Sequence, residues 1–224
     1  METEIKHLQF KFPYTCLLSG PTGSGKTIFI RRKLKNFKQL LSNFDQPILK
    51  VIWAYGAWNP LLDVPISENV ITQYVNDIPS NDLIEEFKPN LIVIDDLLNE
   101  FDKNKDLENL FIKKSHHLNI SVIFSVQNLF HKTIRTISLN AHYIILMKNP
   151  RDGVQVLNLA RQIYPDKPKL ITEAYKDATK QAYGYLIIDL KPDTPEFLRL
   201  KTRIMPEEVE HLNKSFSPII YKSK

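Results

Sequence analysis

The stretch Gly20-Pro21-Thr22-Gly23-Ser24-Gly25-Lys26-Thr27 matches every position of the phosphate-binding pattern Gly-x-x-x-x-Gly-Lys-Ser/Thr. A polyphosphate requires backbone N–H donors, a mobile cation, a hydroxyl that ligates Mg²⁺ and a helix N-terminus, and this octapeptide supplies them together. Lys26 is suited to neutralise the β- and γ-phosphates, and the Thr27 hydroxyl is suited to ligate Mg²⁺. The whole stretch is therefore predicted to bind a nucleoside triphosphate.

The flanking sequence predicts a strand before this loop and a helix after it. The apolar run Tyr14-Thr15-Cys16-Leu17-Leu18 precedes the loop. A helix is predicted over residues 27–43 because apolar residues recur at helical spacing, namely Ile30, Leu34, Phe37 and Leu41. This context favours a phosphate loop over a glycine-rich surface turn that matches by chance.

The same predicted helix carries a group of basic residues on its other face, which are Arg31, Arg32, Lys33, Lys35 and Lys38. Two interpretations remain open at this point. The basic residues form either an ordinary solvated face or a contact surface for nucleic acid.

A second motif, Leu91-Ile92-Val93-Ile94-Asp95-Asp96, is an apolar run that ends in paired carboxylates. Such a run is typical of a buried parallel strand whose carboxyl end faces a site. Beside a phosphate loop, Asp95 is predicted to hold Mg²⁺ through its water shell, and Asp96 is predicted to polarise the attacking water. The alternative is that the two carboxylates cap the next helix. Two strand candidates separate Lys26 from Asp95, so another strand is predicted between the loop strand and the carboxylate strand.

Three further polar residues are candidates for the same site. The apolar run of residues 120–126 ends at Gln127, whose amide is predicted to orient water and sense the γ-phosphate; the alternative is a strand-end turn. Arg135 and Arg151 lie on either side of the next apolar run. Either guanidinium is suited to reach the γ-phosphate of a neighbouring subunit, and Arg135 is favoured, although each is also consistent with an ordinary surface arginine.

The remaining pattern indicates an α/β fold of one domain, a P-loop NTPase with a mainly parallel central sheet flanked by helices and a C-terminal antiparallel strand pair. Residues 1–204 are predicted to form this domain, and residues 205–224 a short helix and a loose basic tail. Further strands are predicted at 8–12, 50–55, 70–74, 142–147, 183–190 and 197–203. Further helices are predicted at 81–87, 104–118 and 169–178, with another after residue 152.

Composition narrows the class of protein. The chain has 224 residues, of which 43% are apolar, enough for one substantial core. Cys16 is the single cysteine, so a disulfide within the chain and a zinc site built on cysteines are excluded. No run in residues 1–11 suits a signal peptide or a membrane span, and we expect an intracellular protein. The formal charge of +5 favours a polyanionic partner.

The sequence resembles the genome-packaging ATPases of Polinton/Maverick elements, adintoviruses and virophages. These are similar to the poxvirus packaging ATPase and belong to the FtsK–HerA group. The resemblance covers most of residues 8–203. Besides the phosphate loop, it rests on the segments Phe12-Pro13-x-Thr15, Ile92-Val93-Ile94-Asp95-Asp96-Leu97, 117–123, Gln127-Asn128-Leu129-Phe130, 135–140 and Lys148-Asn149-Pro150-Arg151-Asp152.

The resemblance implies an ATP-driven ring that pulls double-stranded DNA into a preformed viral capsid. A hexamer is the favoured ring size. The resemblance also implies ATP and Mg²⁺ as cofactors, capsid proteins as partners, and a location at the site of virion assembly in the nucleus or a cytoplasmic factory. The roles derived above for Lys26, Thr27, Asp95, Asp96 and Gln127 are also those the resemblance implies. One position departs from the wider group, because many of its members have Glu where this chain has Asp96.

Three alternatives to a packaging motor remain. A DNA pump for conjugation or chromosome segregation usually carries membrane segments or extra domains, and the sequence indicates neither. A small-molecule kinase needs an arginine-rich lid and a defined acceptor pocket, and no such lid is evident between Lys26 and Arg151 beyond the basic residues of the helix after the loop. The third alternative is an assembly switch that binds ATP and a capsid protein but hydrolyses ATP slowly. It differs from the motor because DNA does not stimulate its ATP hydrolysis.

Overall fold

The computed structural model describes residues 8–97, 110–111, 115, 118–129, 134–210 and 218–222. The helix predicted over residues 104–118 falls almost entirely outside this part of the chain. Within the described part, no helix combines the length and apolar character required to cross a membrane.

Strands and helices alternate along most of the chain, as the sequence predicted. The strands are β1 (Phe10–Lys11), β2 (Thr15–Ser19), β3 (Leu41–Ser42), β4 (Leu49–Tyr55), β5 (Val70–Val75), β6 (Leu91–Asp95), β7 (Ser121–Val126), β8 (Tyr143–Met147), β9 (Tyr185–Asp189), β10 (Leu200–Thr202) and β11 (Ile219–Tyr221). The α-helices are α1 (Lys26–Lys35), α2 (Phe37–Leu40), α3 (Asn81–Phe87), α4 (Ile134–Asn140), α5 (Gly153–Ile163), α6 (Pro168–Ala178) and α7 (Glu207–Glu210).

One nine-stranded sheet organises the described residues, in the order β11-β10-β9-β8-β2-β7-β6-β4-β5. The six strands from β8 to β5 in that order run parallel, and β9, β10 and β11 extend the sheet as antiparallel neighbours. The predicted α/β fold with a C-terminal antiparallel pair is confirmed. Strand β11 is an addition, because the tail that contains it was predicted to be loose.

Alternate residues of the central strands face opposite sides of the sheet, because strand side chains alternate with a period of two. Ile92 and Ile94 pack on the face covered by α3, α4, α5 and α6. Leu91 and Val93 pack on the other face, against α1 and α2. The sheet therefore has helices on both faces, which places its strand ends, rather than its faces, at the surface available for a site.

The helix after the phosphate loop is shorter than predicted, and one of its basic residues points inward. Helix α1 ends at Lys35, Asn36 adopts a non-helical conformation, and β3 begins at Leu41 and pairs with β1 in a separate two-stranded sheet. Lys33 is 1% exposed and donates a hydrogen bond to the Tyr14 hydroxyl. Its placement on the predicted basic face is therefore wrong, because the turn of α1 directs it at the core.

Candidate nucleotide-binding site

Three parallel strands bring the predicted site residues to one edge of the sheet. Strand β7 lies between β2, which leads into the phosphate loop, and β6, which ends at Asp95. The predicted intervening strand is confirmed, but it follows Asp95 in sequence. The two strands that separate Lys26 from Asp95, β4 and β5, lie beyond β6 on its far side. Gln127 directly follows β7 and therefore reaches the same edge.

Two glycines give the phosphate loop a backbone conformation that other residues rarely adopt. Gly23 and Gly25 have φ values of 78° and 95°, in the left-handed region that favours glycine. A β-carbon on Gly20 would lie 2.6 Å from both Met147 Cβ and Ser24 Oγ, so only glycine fits there. Helix α1 begins at Lys26, which directs its first N–H groups at the loop.

Lys26 lies within the loop and faces the carboxylate strand. Its ammonium donates to the carbonyl oxygens of Gly20 at 2.6 Å and Pro21 at 3.2 Å. Burial lowers the pKa of Lys26, and the charges of Asp95 and Asp96 oppose that shift. A half-buried cation beside a ring of backbone N–H groups is an arrangement that accepts a polyanion.

Thr27 and Asp95 meet across the gap between α1 and β6, as their predicted shared role requires. The Thr27 hydroxyl donates to Asp95 Oδ2 at 3.3 Å. Burial raises the pKa of Asp95, and the charge of Lys26 and the Thr27 hydrogen bond act against that rise. Both side chains offer hard oxygen atoms, the ligand type that Mg²⁺ prefers, so Thr27 would bind the ion and Asp95 would hold it through bound water. Among the described residues no group of three or more His, Cys, Asp or Glu side chains is placed to hold a metal.

Asp96 turns away from the strand and pairs with Gln127. It has a φ of 59°, which is uncommon outside glycine, and this conformation ends β6. Gln127 Nε2 donates to both carboxylate oxygens of Asp96 at 2.9 Å. Gly56, at the end of β4, packs against this turn so closely that a β-carbon would lie 2.3 Å from the Asp96 carbonyl oxygen.

A cavity of about 370 Å³ lies over the phosphate loop and extends to the end of β6. Its lining includes Lys26, Thr27, Asp95 and Asp96, and also Trp58 and Tyr183, which the sequence did not identify. Tyr183 was predicted to begin a strand, but β9 begins at Tyr185 and Tyr183 belongs to the preceding loop. The Tyr183-Gly184 pair and the turn-forming run from Gly56 to Pro60 were the available sequence signals.

The two candidate arginines differ in what the structure describes. Arg151 is exposed in the turn after β8, its backbone N–H donates to Asn149 Oδ1 at 3.0 Å, and it is absent from the residues that line the cavity. Arg135 belongs to α4, and its side chain lies outside the described part of the chain. The role predicted for these arginines on a neighbouring subunit stays a prediction.

The basic face of α1 is smaller than the sequence indicated. Arg31 donates through Nη2 to the carbonyl oxygens of Val64 at 2.7 Å and Pro65 at 3.2 Å. With Lys33 buried as well, the predicted basic residues that remain exposed are Arg32, Lys35 and Lys38.

Comparisons with known proteins show similarity in fold. The sequence matches no protein-family model and none of the curated proteins searched. The genome-packaging NTPase B204 from Sulfolobus turreted icosahedral virus 2, solved with ATPγS, superimposes with a TM-score of 0.53 at 15% identity, covering 85% of this chain and 96% of B204. The same protein with AMPPCP gives a TM-score of 0.54 at 14% identity, covering 85% and 97%.

A third solved structure has the same architecture. The DNA-packaging ATPase B204 from Sulfolobus turreted icosahedral virus superimposes with a TM-score of 0.52 at 17% identity, and the match covers 85% of this chain and 97% of that one. At such identities the similarity concerns the fold. The chain described here therefore has a P-loop NTPase fold, over nearly the whole length of these viral proteins.

Proposed function

We propose that this protein is an ATPase that drives double-stranded DNA into a viral capsid. The observation that carries the proposal is the convergence of Lys26, Thr27, Asp95 and Asp96 on one cavity at the ends of adjacent parallel strands, with Gln127 hydrogen-bonded to Asp96. The fold similarity to B204, described as a genome-packaging NTPase, supports the same conclusion.

Each residue of the site has a separate role in the transfer of the γ-phosphoryl group to water. The loop N–H groups and Lys26 bind the β- and γ-phosphates, and Thr27 and Asp95 would hold Mg²⁺, Asp95 through bound water. The ion would supply positive charge against the charge that develops on the phosphates. Asp96 polarises the attacking water, and Gln127 fixes the orientation of the Asp96 carboxylate through its two hydrogen bonds. Asp96 is one methylene shorter than the Glu that many members of the wider group have at this position. Its carboxylate therefore has less reach toward the attacking water, and its orientation matters more.

The motor acts as a homo-oligomeric ring, for which a hexamer is favoured. An arginine from one subunit completes the nucleotide site of its neighbour. Arg135 and Arg151 are the candidates for this role. A guanidinium supplied from a neighbour makes hydrolysis depend on assembly, which couples the chemistry to movement between subunits. The protein belongs to the Polinton, adintovirus and virophage type in this proposal, and acts inside the host cell with capsid proteins as partners.

DNA is held through its phosphates without reading of base sequence. The formal charge of +5 and the exposed side chains of Arg32, Lys35 and Lys38 supply cations for such contacts. Binding of this kind releases counterions and therefore weakens steeply as salt rises.

The experiment is steady-state ATP hydrolysis with and without double-stranded DNA, at protein concentrations where the chain assembles. We expect turnover that DNA stimulates in the native chain and that Lys26→Ala abolishes. Lys169→Ala is the matched control, because Lys169 is exposed in the first turn of α6. Tight ATP binding with no response to DNA would favour an assembly switch. Phosphate transfer to a small acceptor would favour a kinase.

A further inference from the structure

Tyr183 is a largely exposed aromatic residue that packs directly on the phosphate loop. Its side chain is 64% exposed. A β-carbon built on Gly25 would lie 3.0 Å from Tyr183 Cδ1, so the ring covers the residue immediately before Lys26. Tyr183 also lines the cavity that contains the Thr27 and Asp95 side chains.

The backbone of Tyr183 is held in a conformation that aromatic residues rarely adopt. Its φ is 60°, in the left-handed region. The next residue, Gly184, packs closely against the end of α6, because a β-carbon there would lie 2.4 Å from the Ala178 carbonyl oxygen. The Gly184 carbonyl accepts a hydrogen bond from the Lys148 N–H at 3.0 Å, which attaches the loop to the end of β8. Core packing does not account for a strained, exposed ring, and such strain concentrates at ligand sites.

Trp58 reaches the same cavity from the other side of the phosphate loop. Trp58 follows β4, which is the third strand from β2 on one side of the sheet. Tyr183 precedes β9, which is the second strand from β2 on the other side. The Trp58 ring is 49% exposed and packs edge-on against Tyr55 and Tyr74, at centroid distances of 5.0 and 5.9 Å. These contacts fix its orientation while leaving much of the ring accessible.

The cavity lining outside the phosphate loop indicates which other part of a nucleotide the cavity can bind. The phosphates belong with the loop and Lys26, and the water-activating pair lies at the ends of β6 and β7. Two exposed apolar side chains, Ile28 at 43% and Leu61 at 37%, line the cavity with Tyr183 and Trp58. A flat, mostly apolar group therefore fits against the exposed ring of Tyr183, and a nucleotide contains one such group, its base.

We propose that Tyr183 forms one wall of a subsite for the nucleotide base, which stacks on its ring, whereas Trp58 lies across the phosphate loop on the far side of the cavity. The inference rests on the proposed function and extends it, because it assigns the part of ATP that the phosphate loop does not bind. Stacking on an aromatic ring is tolerant of base identity, since every base presents a π-face.

The test compares binding of ATP and of inorganic tripolyphosphate, each with Mg²⁺, by calorimetry. The main variant is Tyr183→Asn, because Asn accepts a left-handed backbone and provides no ring. We expect it to weaken ATP binding about tenfold or more and to leave tripolyphosphate binding unchanged. Tyr183→Phe is the matched control, which keeps the stacking face, and its ATP affinity is expected to stay within about twofold of the native value.

Each contrary result has a distinct meaning. If Tyr183→Asn weakens both ligands equally, the residue supports the loop and the subsite is overturned. If the native chain binds ATP and tripolyphosphate with the same affinity, the base contributes nothing, and the subsite fails while the phosphate loop stands. If the native chain binds neither ligand, the proposed function fails together with the subsite.

Discussion

Gln127 and Asp96, 31 positions apart, are joined by two hydrogen bonds of 2.9 Å from one side-chain nitrogen to both carboxylate oxygens. The pair connects the ends of β7 and β6, which are neighbouring parallel strands. A carboxylate held through both oxygens keeps one orientation relative to the phosphate loop. This relationship makes Gln127 a positioning residue for Asp96.

Removing either member of this pair should slow hydrolysis without loss of nucleotide binding. For Gln127→Ala and for Asp96→Asn, we expect turnover to fall about 100-fold, the size of effect typical for a group that assists proton transfer. The double variant should be little slower than the slower single variant, because the residues act as one unit. Single-turnover hydrolysis and ATP binding measure this, with the exposed Asp45→Asn as control. Independent, additive losses would contradict the positioning role.

Asp95→Asn should raise stability at neutral pH while it removes Mg²⁺-dependent hydrolysis. Burial raises the pKa of Asp95, so an ionised carboxylate at this place destabilises the folded chain. The gain in unfolding free energy from the variant is therefore present above that raised pKa. It shrinks as the pH falls and disappears below the usual aspartate value of 3.8. Urea unfolding at several pH values measures this, and a variant less stable than the native chain at pH 7 would contradict it.

Gly20→Ala should damage both the fold and the phosphate loop. The added carbon would lie 2.6 Å from Met147 Cβ and Ser24 Oγ, and relief requires movement of β8 or of the loop itself. We expect a loss of about 1–3 kcal/mol in stability and a large loss of ATP affinity. Gly153→Ala is the matched control, because no atom lies within 4 Å of its added carbon. Calorimetric melting with and without ATP measures both effects, and an unchanged affinity in Gly20→Ala would contradict the prediction.

If an arginine acts on a neighbouring subunit, two inactive variants should restore activity when mixed. Arg135→Ala and Arg151→Ala are each combined with Lys26→Ala, which retains both arginines and lacks a working loop. The arginine that acts in trans should show a loss of about 1,000-fold alone and partial recovery in the mixture, because its loop then meets an intact neighbour. Lys169→Ala mixed with Lys26→Ala controls for dilution of active subunits. No recovery for either arginine variant would contradict a shared site.

The buried Lys33 should make the unfolding free energy rise with pH. Replacing Lys33 together with its partner Tyr14 should reduce this rise. Burial lowers the pKa of Lys33 to about 7, whereas an unfolded lysine titrates near 10.5. Between pH 7 and 9 the unfolded chain therefore carries a proton that the folded chain lacks, and stability rises across this window, by about 2 kcal/mol.

The variant that tests this combines Lys33→Met with Tyr14→Phe, so that the Tyr14 hydroxyl is not left without its partner. Unfolding by urea at pH 7 and 9 is expected to show a smaller difference for the variant than for the native chain. Tyr14→Phe alone is the control, since it keeps the buried amine. An equal pH dependence in all three proteins would contradict the prediction.

The sequence by itself determined the phosphate loop, the acidic strand end and the class of fold. The spacing from Gly20 to Thr27 is set by local backbone chemistry, and apolar runs such as the one ending at Asp95 are visible without any knowledge of partners. Both signals are local, so they survive in the sequence alone.

Tertiary structure decided the features that depend on residues distant in the chain. The strand inserted beside the phosphate-loop strand is β7 because sheet order follows packing across the whole chain. Lys33 faces the core because it lies one helical turn after the buried residues Phe29 and Ile30, and there its ammonium meets the hydroxyl of Tyr14, the residue that precedes β2. Tyr183 and Trp58 reach one cavity through loops that lie 125 positions apart, and no local pattern encodes that meeting.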